Sequence, residues 1–218
     1  HQVDAAELAR AGLDVVVATG TASGKSLAYQ LPVLAALTED ERARALYLAP
    51  TKALGADQLR SVNGFGLPGI RAASFDGDTP RVERDWVRAH SRWIFTNPDM
   101  LHRGILPAHA RWSGFFRRLT HVVIDECHAY RGVFGSHVAL LLRRLRRIAR
   151  RYGADPVFVL ASATAASPAE SAGLAQRGAH DRAVGTAAVG GPDRGERRAH
   201  PAFRRGRGRA RPRRPGAP

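Results

Sequence analysis

Cysteine is nearly absent: Cys127 stands alone in 218 residues, which excludes an internal disulfide framework or zinc ribbon. That fits a reducing, cytoplasmic setting, and with no catalytic partner implied for it Cys127 is expected to be a packed thiol. Long hydrophobic runs are missing too. No stretch approaches the roughly 20 apolar residues of a membrane-spanning helix, and no signal peptide is visible, so no membrane partner is expected. Acidic residues are scarce, 19 against 34 lysines and arginines, for a formal net charge of +15. A surplus of that size points to polyanionic partners or to an unstructured basic segment. Position separates the two, because residues 172–218 hold 12 arginines against 3 acids and the rest of the chain carries only +6. The sequence opens on His1 rather than Met and reads as a fragment.

Residues 172–218 also lack larger apolar side chains beyond Leu174, Val184, Val189 and Phe203. So few cannot offset a backbone ordering cost of about 1–2 kcal/mol per residue. The expectation is a disordered Arg/Gly/Pro/Ala-rich tail, either natural or a frame-shifted reading of GC-rich DNA.

What is present before residue 172 is a regular alternation. DVVVAT (14–19), ARALYLAP (43–50), RAASF (71–75), RWIFT (92–96), HVVIDE (121–126) and PVFVLAS (156–162) are short runs, mostly apolar along their whole length. Such runs suit strands of a parallel sheet covered on both faces. Helical patterns lie between them, as in DAAELARA (4–11), the segment from Ser26, and KALGADQLRSV (52–62). SPAE (167–170) would start one more helix. The pattern predicts an α/β domain over 1–171 with a doubly wound, mostly parallel sheet. RRLRRIARR (143–151) sets Leu145 and Ile148 at helical spacing, which favours a solvated basic face over a nucleic-acid patch. Trp86, Trp93 and Trp112 are expected in the core or at its rim.

Two stretches carry chemistry. ATGTASGKS (18–26) follows a strand and opens a helix, the context a phosphate-binding loop needs. Its small residues Thr19, Gly20, Thr21, Ala22, Ser23 and Gly24 would let backbone N–H groups converge on a triphosphate at the helix start. Lys25 would reach the β and γ phosphates, and the Ser26 hydroxyl would bind Mg²⁺. Thr19 stands where the general pattern begins with glycine. In THVVIDECHAY (120–130) a buried-type strand runs into Asp125 and Glu126. Alone, these could be an acidic turn capping a strand. About 100 residues after the loop lysine, they fit a metal-holding Asp125 and a Glu126 that polarises the attacking water.

ATGTASGKS, APTKALGADQ, DGDTP, TNPDML, DECH and SAT occur in the order and rough spacing of the first motor domain of superfamily-two helicases of the DEAD/DEAH (DExH) type. The resemblance covers about residues 1–170, and the wording of APTKALGADQ and DECHAYRGVFGSHVA looks like one bacterial branch. It implies a RecA-like P-loop fold and the ATP-binding lobe of an ATP-dependent DNA helicase, some members being associated with DNA repair. ATP and Mg²⁺ are the implied cofactors, and single-stranded or duplex nucleic acid the implied partner, DNA before RNA. Gln2 matches the glutamine that reads adenine. Pro50, Thr51 and Lys52, Gly77, Asp78 and Thr79, and Thr96, Asn97 and Pro98 match segments that grip a strand by its backbone, which agrees with the chemistry of loop N–H groups and hydroxyls. His128, Ser162, Ala163 and Thr164 match the elements that couple nucleotide state to strand binding. Full-length members carry a second motor domain, which supplies arginine fingers, and often a C-terminal cysteine-rich domain. The alternatives are an ATP- and strand-binding fragment without productive turnover and, more weakly, an unrelated P-loop ATPase.

Overall fold

The structure is a computed structural model and describes residues 2–18, 24–130, 132–163 and 184–188. Its centre is a sheet of β1 (Asp14–Ala18), β2 (Arg44–Leu48), β3 (Ala72–Ser74), β4 (Trp93–Thr96), β5 (Leu119–Ile124), β6 (Val157–Ser162) and β7 (Val184–Ala188), in the order β3-β4-β2-β5-β6-β1-β7. Every pairing among the described residues is parallel.

Because successive side chains of a strand point to opposite faces, the all-apolar runs feed two separate cores. Val16, Leu46, Leu48, Ile94, Val122, Ile124, Phe158 and Leu160 pack on one face with Trp112, Phe115 and Phe116. They meet α7 (Gly132–Arg151), which buries Val138, Leu142, Leu145 and Ala149 at helical spacing. On the other face Val15, Val17, Tyr47, Phe95, Val123 and Val159 pack beneath α1 (Gln2–Arg10), α2 (Lys25–Glu39) and α3 (Lys52–Gly64). Helices on both faces of a parallel sheet make the expected doubly wound architecture. α4 (Arg81–His90), the short α5 (Pro98–Met100) and α6 (Ser113–Phe116) are further helices of the described residues. Trp93 and Trp112 are core residues, whereas Trp86 is 51% exposed.

Two expectations need correction. Val184–Ala188 lies inside the stretch expected to be disordered, yet it forms β7, in register with β1 from Asp14↔Val184 to Ala18↔Ala188. A sheet edge supplies a full ladder of backbone partners, so a five-residue segment needs few apolar side chains to join it. Gly185 fits because a Cβ there would come within 2.8 Å of Leu8 Cδ1 of α1. The rest of 172–218, and the helix expected at 167–170, lie outside the described residues. The second correction concerns the basic face of α7. Arg146 is not solvated: its Nη2 donates to Asp14 Oδ2 at 2.6 Å, and its guanidinium lies 4.3 Å from the centre of the Phe158 ring. Asp14 is fully buried and also accepts Phe158 N–H at 2.9 Å. This pair ties α7 to the start of β1.

Candidate functional site

In an open parallel sheet, loops at the carboxyl ends of the strands form the natural ligand crevice. Each motif in question leaves the sheet at that edge. β1 ends at Ala18 before the glycine-rich loop, β2 leads to Pro50–Lys52, and β3 to Asp76–Thr79. β4 leads to Asn97, β5 to Asp125–Glu126 and β6 to Ala163.

Gly24 precedes α2 with φ 74°, the left-handed region that favours glycine. A Cβ there would lie 2.5 Å from Gln2 Nε2, which donates to Gly24 O at 3.1 Å. So Gln2, on α1, sits against the end of the loop. Lys25 begins α2, and Tyr29 follows one turn later on the same face. These two side chains meet the adjacent carboxylates of the β5 turn. Lys25 Nζ is 3.2 Å from Glu126 Oε1, and Tyr29 OH donates to Asp125 Oδ2 at 2.9 Å. From β2, Tyr47 OH donates to the same Oδ2 at 2.5 Å. Burial first, and then the Asp125 charge, push both phenols far above their ordinary pKa, so they act as donors. Glu126 N–H donates to Asp125 Oδ1 at 2.8 Å, and Glu126 itself has φ 46°. A non-glycine residue held in that region costs on the order of 1–3 kcal/mol, and such residues cluster at active sites and switch regions.

His128 completes the turn. Its Nδ1 lies 3.0 Å from Glu126 Oε2 and 3.3 Å from the N–H of Ala163. One ring nitrogen cannot serve both: it accepts from Ala163 when the ring proton is on Nε2, or donates to Glu126 when the proton is on Nδ1. The β5 turn is thereby joined to the end of β6, where Ser162 is buried.

Ser26 Oγ accepts from Gln58 Nε2 of α3 at 3.2 Å, and Gln30 Nε2 donates to Gln58 Oε1 at 3.1 Å. Gln58, Gln30, Tyr29 and Tyr47 are not legible from the sequence, because a glutamine or tyrosine inside a helix or buried strand carries no local signal of its partner. Among the described residues no cluster of three or more His, Cys, Asp or Glu is preassembled to hold a metal. A carboxylate and a hydroxyl, here Asp125 and Ser26, are instead the kind of donors that Mg²⁺ takes together with phosphates and water.

The remaining candidates line the other half of the edge. Thr51 caps α3, its Oγ1 accepting from Leu54 N at 3.3 Å, and Lys52 Nζ is 2.5 Å from Asp78 Oδ2. That hydrogen bond raises the Lys52 pKa. Pro50 lies two residues beyond the end of β2, and a Cβ at Gly77 would lie 3.9 Å from Lys52 Nζ. Thr79 Oγ1 accepts from Asp76 N at 2.9 Å, and Arg84 donates to the carbonyls of Asp76, Gly77 and Thr79. Thr96 Oγ1 donates to Phe75 O at 2.6 Å; Asn97 caps α5 through Met100 N–H at 2.9 Å, with Pro98 at its first position. The loop Thr19, Gly20, Thr21, Ala22 and Ser23, and also Thr164, lie outside the described residues. Cys127 is buried, as expected of a packed thiol. No helix among the described residues is long and apolar enough to cross a membrane.

Known proteins resemble this chain in sequence and in fold. A family model for DEAD/DEAH box helicases matches residues 1–172. The uncharacterized ATP-dependent helicase YprA of Bacillus subtilis is 51% identical over 174 residues, covering 78% of this chain and 23% of that protein. The ATP-dependent helicase hrq1 of Schizosaccharomyces pombe is 47% identical, over 77% of this chain and 16% of its own length. The chain therefore spans less than a quarter of the curated relatives named here. A crystal structure of the helicase MrfA bound to DNA superimposes with a TM-score of 0.81 at 46% identity, over 87% of this chain and 25% of that one. Another, bound to DNA and AMPPNP, gives 0.79 at 47% identity, over 85% and 26%.

Proposed function

We propose, since the chain belongs to the DEAD/DEAH box helicase family, that it is the ATP-binding lobe of an ATP-dependent DNA helicase. Its reaction is hydrolysis of a nucleoside triphosphate, coupled to the grip on a nucleic-acid strand. One observation carries the reading: Lys25 of α2 reaches Glu126 of the β5 turn at 3.2 Å, and the same helix face reaches Asp125 through Tyr29. A phosphate-seeking ammonium, a carboxylate fixed by hydroxyl donors and a second carboxylate within reach thus converge at the carboxyl edge of a parallel sheet.

In this assignment the backbone of Thr19–Gly24 cradles the phosphates, and Gln2 contacts the base. Ser26 and Asp125 would hold Mg²⁺, which when bound neutralises phosphate charge. Without nucleotide, Lys25 is engaged by Glu126. A γ-phosphate competes for Lys25, and Glu126 is then free to accept the proton of the water that attacks phosphorus. General-base help of this kind is worth typically 10²–10⁴-fold in rate. His128, Ser162, Ala163 and Thr164 would relay nucleotide state to the strand-facing segments. There Thr51, Lys52, Thr79 and Asn97, with the backbone of Pro50, Gly77, Asp78, Thr96 and Pro98, would hold a single strand without reading its sequence. MrfA is named as a DNA-bound helicase, which supports DNA as the strand here.

A second reading is nucleotide and strand binding by this lobe without productive turnover of its own; the match covers 23% and 16% of the two relatives' lengths. Arginine fingers supplied from outside such a lobe are worth about 10³–10⁵ in turnover in related systems. Measuring ATPase with and without single-stranded DNA separates the two. Stimulation by the strand that vanishes in Glu126→Gln while nucleotide binding survives supports the enzyme. Binding of both ligands with no turnover, stimulated or not, supports the second reading, and failure to bind nucleotide overturns both.

A further inference from the structure

Asp125 is 7% exposed, and its carboxylate is surrounded by donors that do not share one role. Two phenol hydroxyls, Tyr29 at 2.9 Å and Tyr47 at 2.5 Å, converge on Oδ2, while Oδ1 accepts only the Glu126 N–H among the hydrogen bonds described above. The tyrosines come from different elements, α2 and β2, and both are almost fully buried. Their rings are held by packing as well: Tyr29 lies 5.7 Å from Tyr47, and Tyr47 lies 4.8 Å from Phe95, centre to centre. Neither hydroxyl is needed for that packing, since phenylalanine has the same ring. Two buried hydroxyls spent on one carboxylate oxygen therefore call for an explanation beyond filling the core.

We infer that Tyr29 and Tyr47 are positioning residues that pin Asp125 Oδ2 inward and so present Oδ1 to a divalent cation at the sheet edge. The inference rests on the reading of Asp125 as the metal-holding carboxylate. With both lone-pair directions of Oδ2 filled, the side chain cannot turn that oxygen outward without stranding two buried hydroxyls. The outward oxygen is left as the one with capacity to spare. Tyr29 also lies one helical turn beyond Lys25, so α2 sets the phosphate-seeking ammonium and the metal-facing carboxylate relative to one another. Outer partners of this kind typically change metal affinity by 10–100-fold when removed.

The test uses the 218-residue chain as wild type, Tyr29→Phe, Tyr47→Phe and the double variant. Binding of a fluorescent ADP analogue is titrated against Mg²⁺, and Mn²⁺ binding with AMPPNP is followed by electron paramagnetic resonance. The metal-free affinity for the analogue should stay within about twofold, while the cation concentration for half-maximal effect rises about tenfold in Tyr47→Phe and further in the double variant. An unchanged cation requirement overturns the inference. So does a parallel fall in metal-free affinity, which is what a packing role gives. Should the double variant fail to fold, Tyr29→Phe, which loses the longer of the two bonds, decides by the same criteria. If the wild type binds no nucleotide, the site assignment falls and this inference with it; if the wild type binds normally and the Phe variants match it, only this inference falls.

Discussion

Replacing Arg146 with methionine should destabilise the domain far more than any loss of surface charge. The guanidinium and Asp14 are both buried, 2.6 Å apart, beneath α7 and at the foot of the strand that leads to the phosphate loop. Methionine removes the guanidinium from over the Phe158 ring and leaves the Asp14 carboxylate with Phe158 N–H as its one described partner. Breaking a buried pair from one side costs about 3–5 kcal/mol, because an uncompensated charge remains. For a domain of this size each kcal/mol is worth about 2–4 °C in Tm, so the melting point should fall on the order of 6–20 °C. Urea midpoints and thermal melts of Arg146→Met, Asp14→Asn and the pair together measure it. Asp14→Asn removes the charge while keeping an acceptor for Phe158 N–H, so the double variant should be more stable than Arg146→Met alone. A loss below about 1 kcal/mol in Arg146→Met, or a double variant no better than it, would refute the reasoning.

His121, buried in β5, has its pKa lowered by desolvation to about 4, below the ordinary 6.5. The unfolded chain therefore takes up the proton first, and stability present above pH 6.5 drains away as pH falls toward 4. The contribution is at most about 3 kcal/mol, and it should be missing from the pH-dependence of His121→Leu unfolding; identical profiles in the two proteins would count against it. Strand affinity should fall with salt with a log–log slope of about −0.7 per phosphate contact. Lys52→Ala should reduce the magnitude of that slope by about one contact's worth, because Lys52, exposed beside Asp78, is one of the proposed strand contacts. A slope identical to that of wild type would remove Lys52 from the strand site.

What could be read in the sequence was what depends on near neighbours. The strand runs from Asp14 to Ala18 and from His121 to Ile124 are apolar at every position or nearly so, and burial on both faces follows from that alone. Asp125 and Glu126 stand out because two carboxylates end such a run. The side chains that set them are 96 and 78 residues away in Tyr29 and Tyr47, and their patterns are those of ordinary core aromatics. Gln58 reaches Ser26 across 32 residues, and Arg146 reaches Asp14 across 132. Distances of that kind are fixed by the order β5-β6-β1 and by the crossings of α2 and α7, not by local spacing. β7 escaped for a different reason. Pairing along an edge is backbone chemistry, and VGTAA has little else to announce it.

On the proposed reading, the carboxyl edge around Lys25, Ser26, Asp125 and Glu126 is a nucleotide site. Lys25 and Lys52 are the only lysines in the chain, so Lys25→Ala removes the one ammonium facing the β5 turn. Equilibrium titration of the 218-residue chain with a fluorescent ATP analogue and Mg²⁺ should show saturable binding that unlabelled ATP displaces. In Lys25→Ala that affinity should fall about 10- to 150-fold, as expected for loss of a charged hydrogen bond worth about 1.5–3 kcal/mol. Wild-type affinity retained in Lys25→Ala would contradict the account.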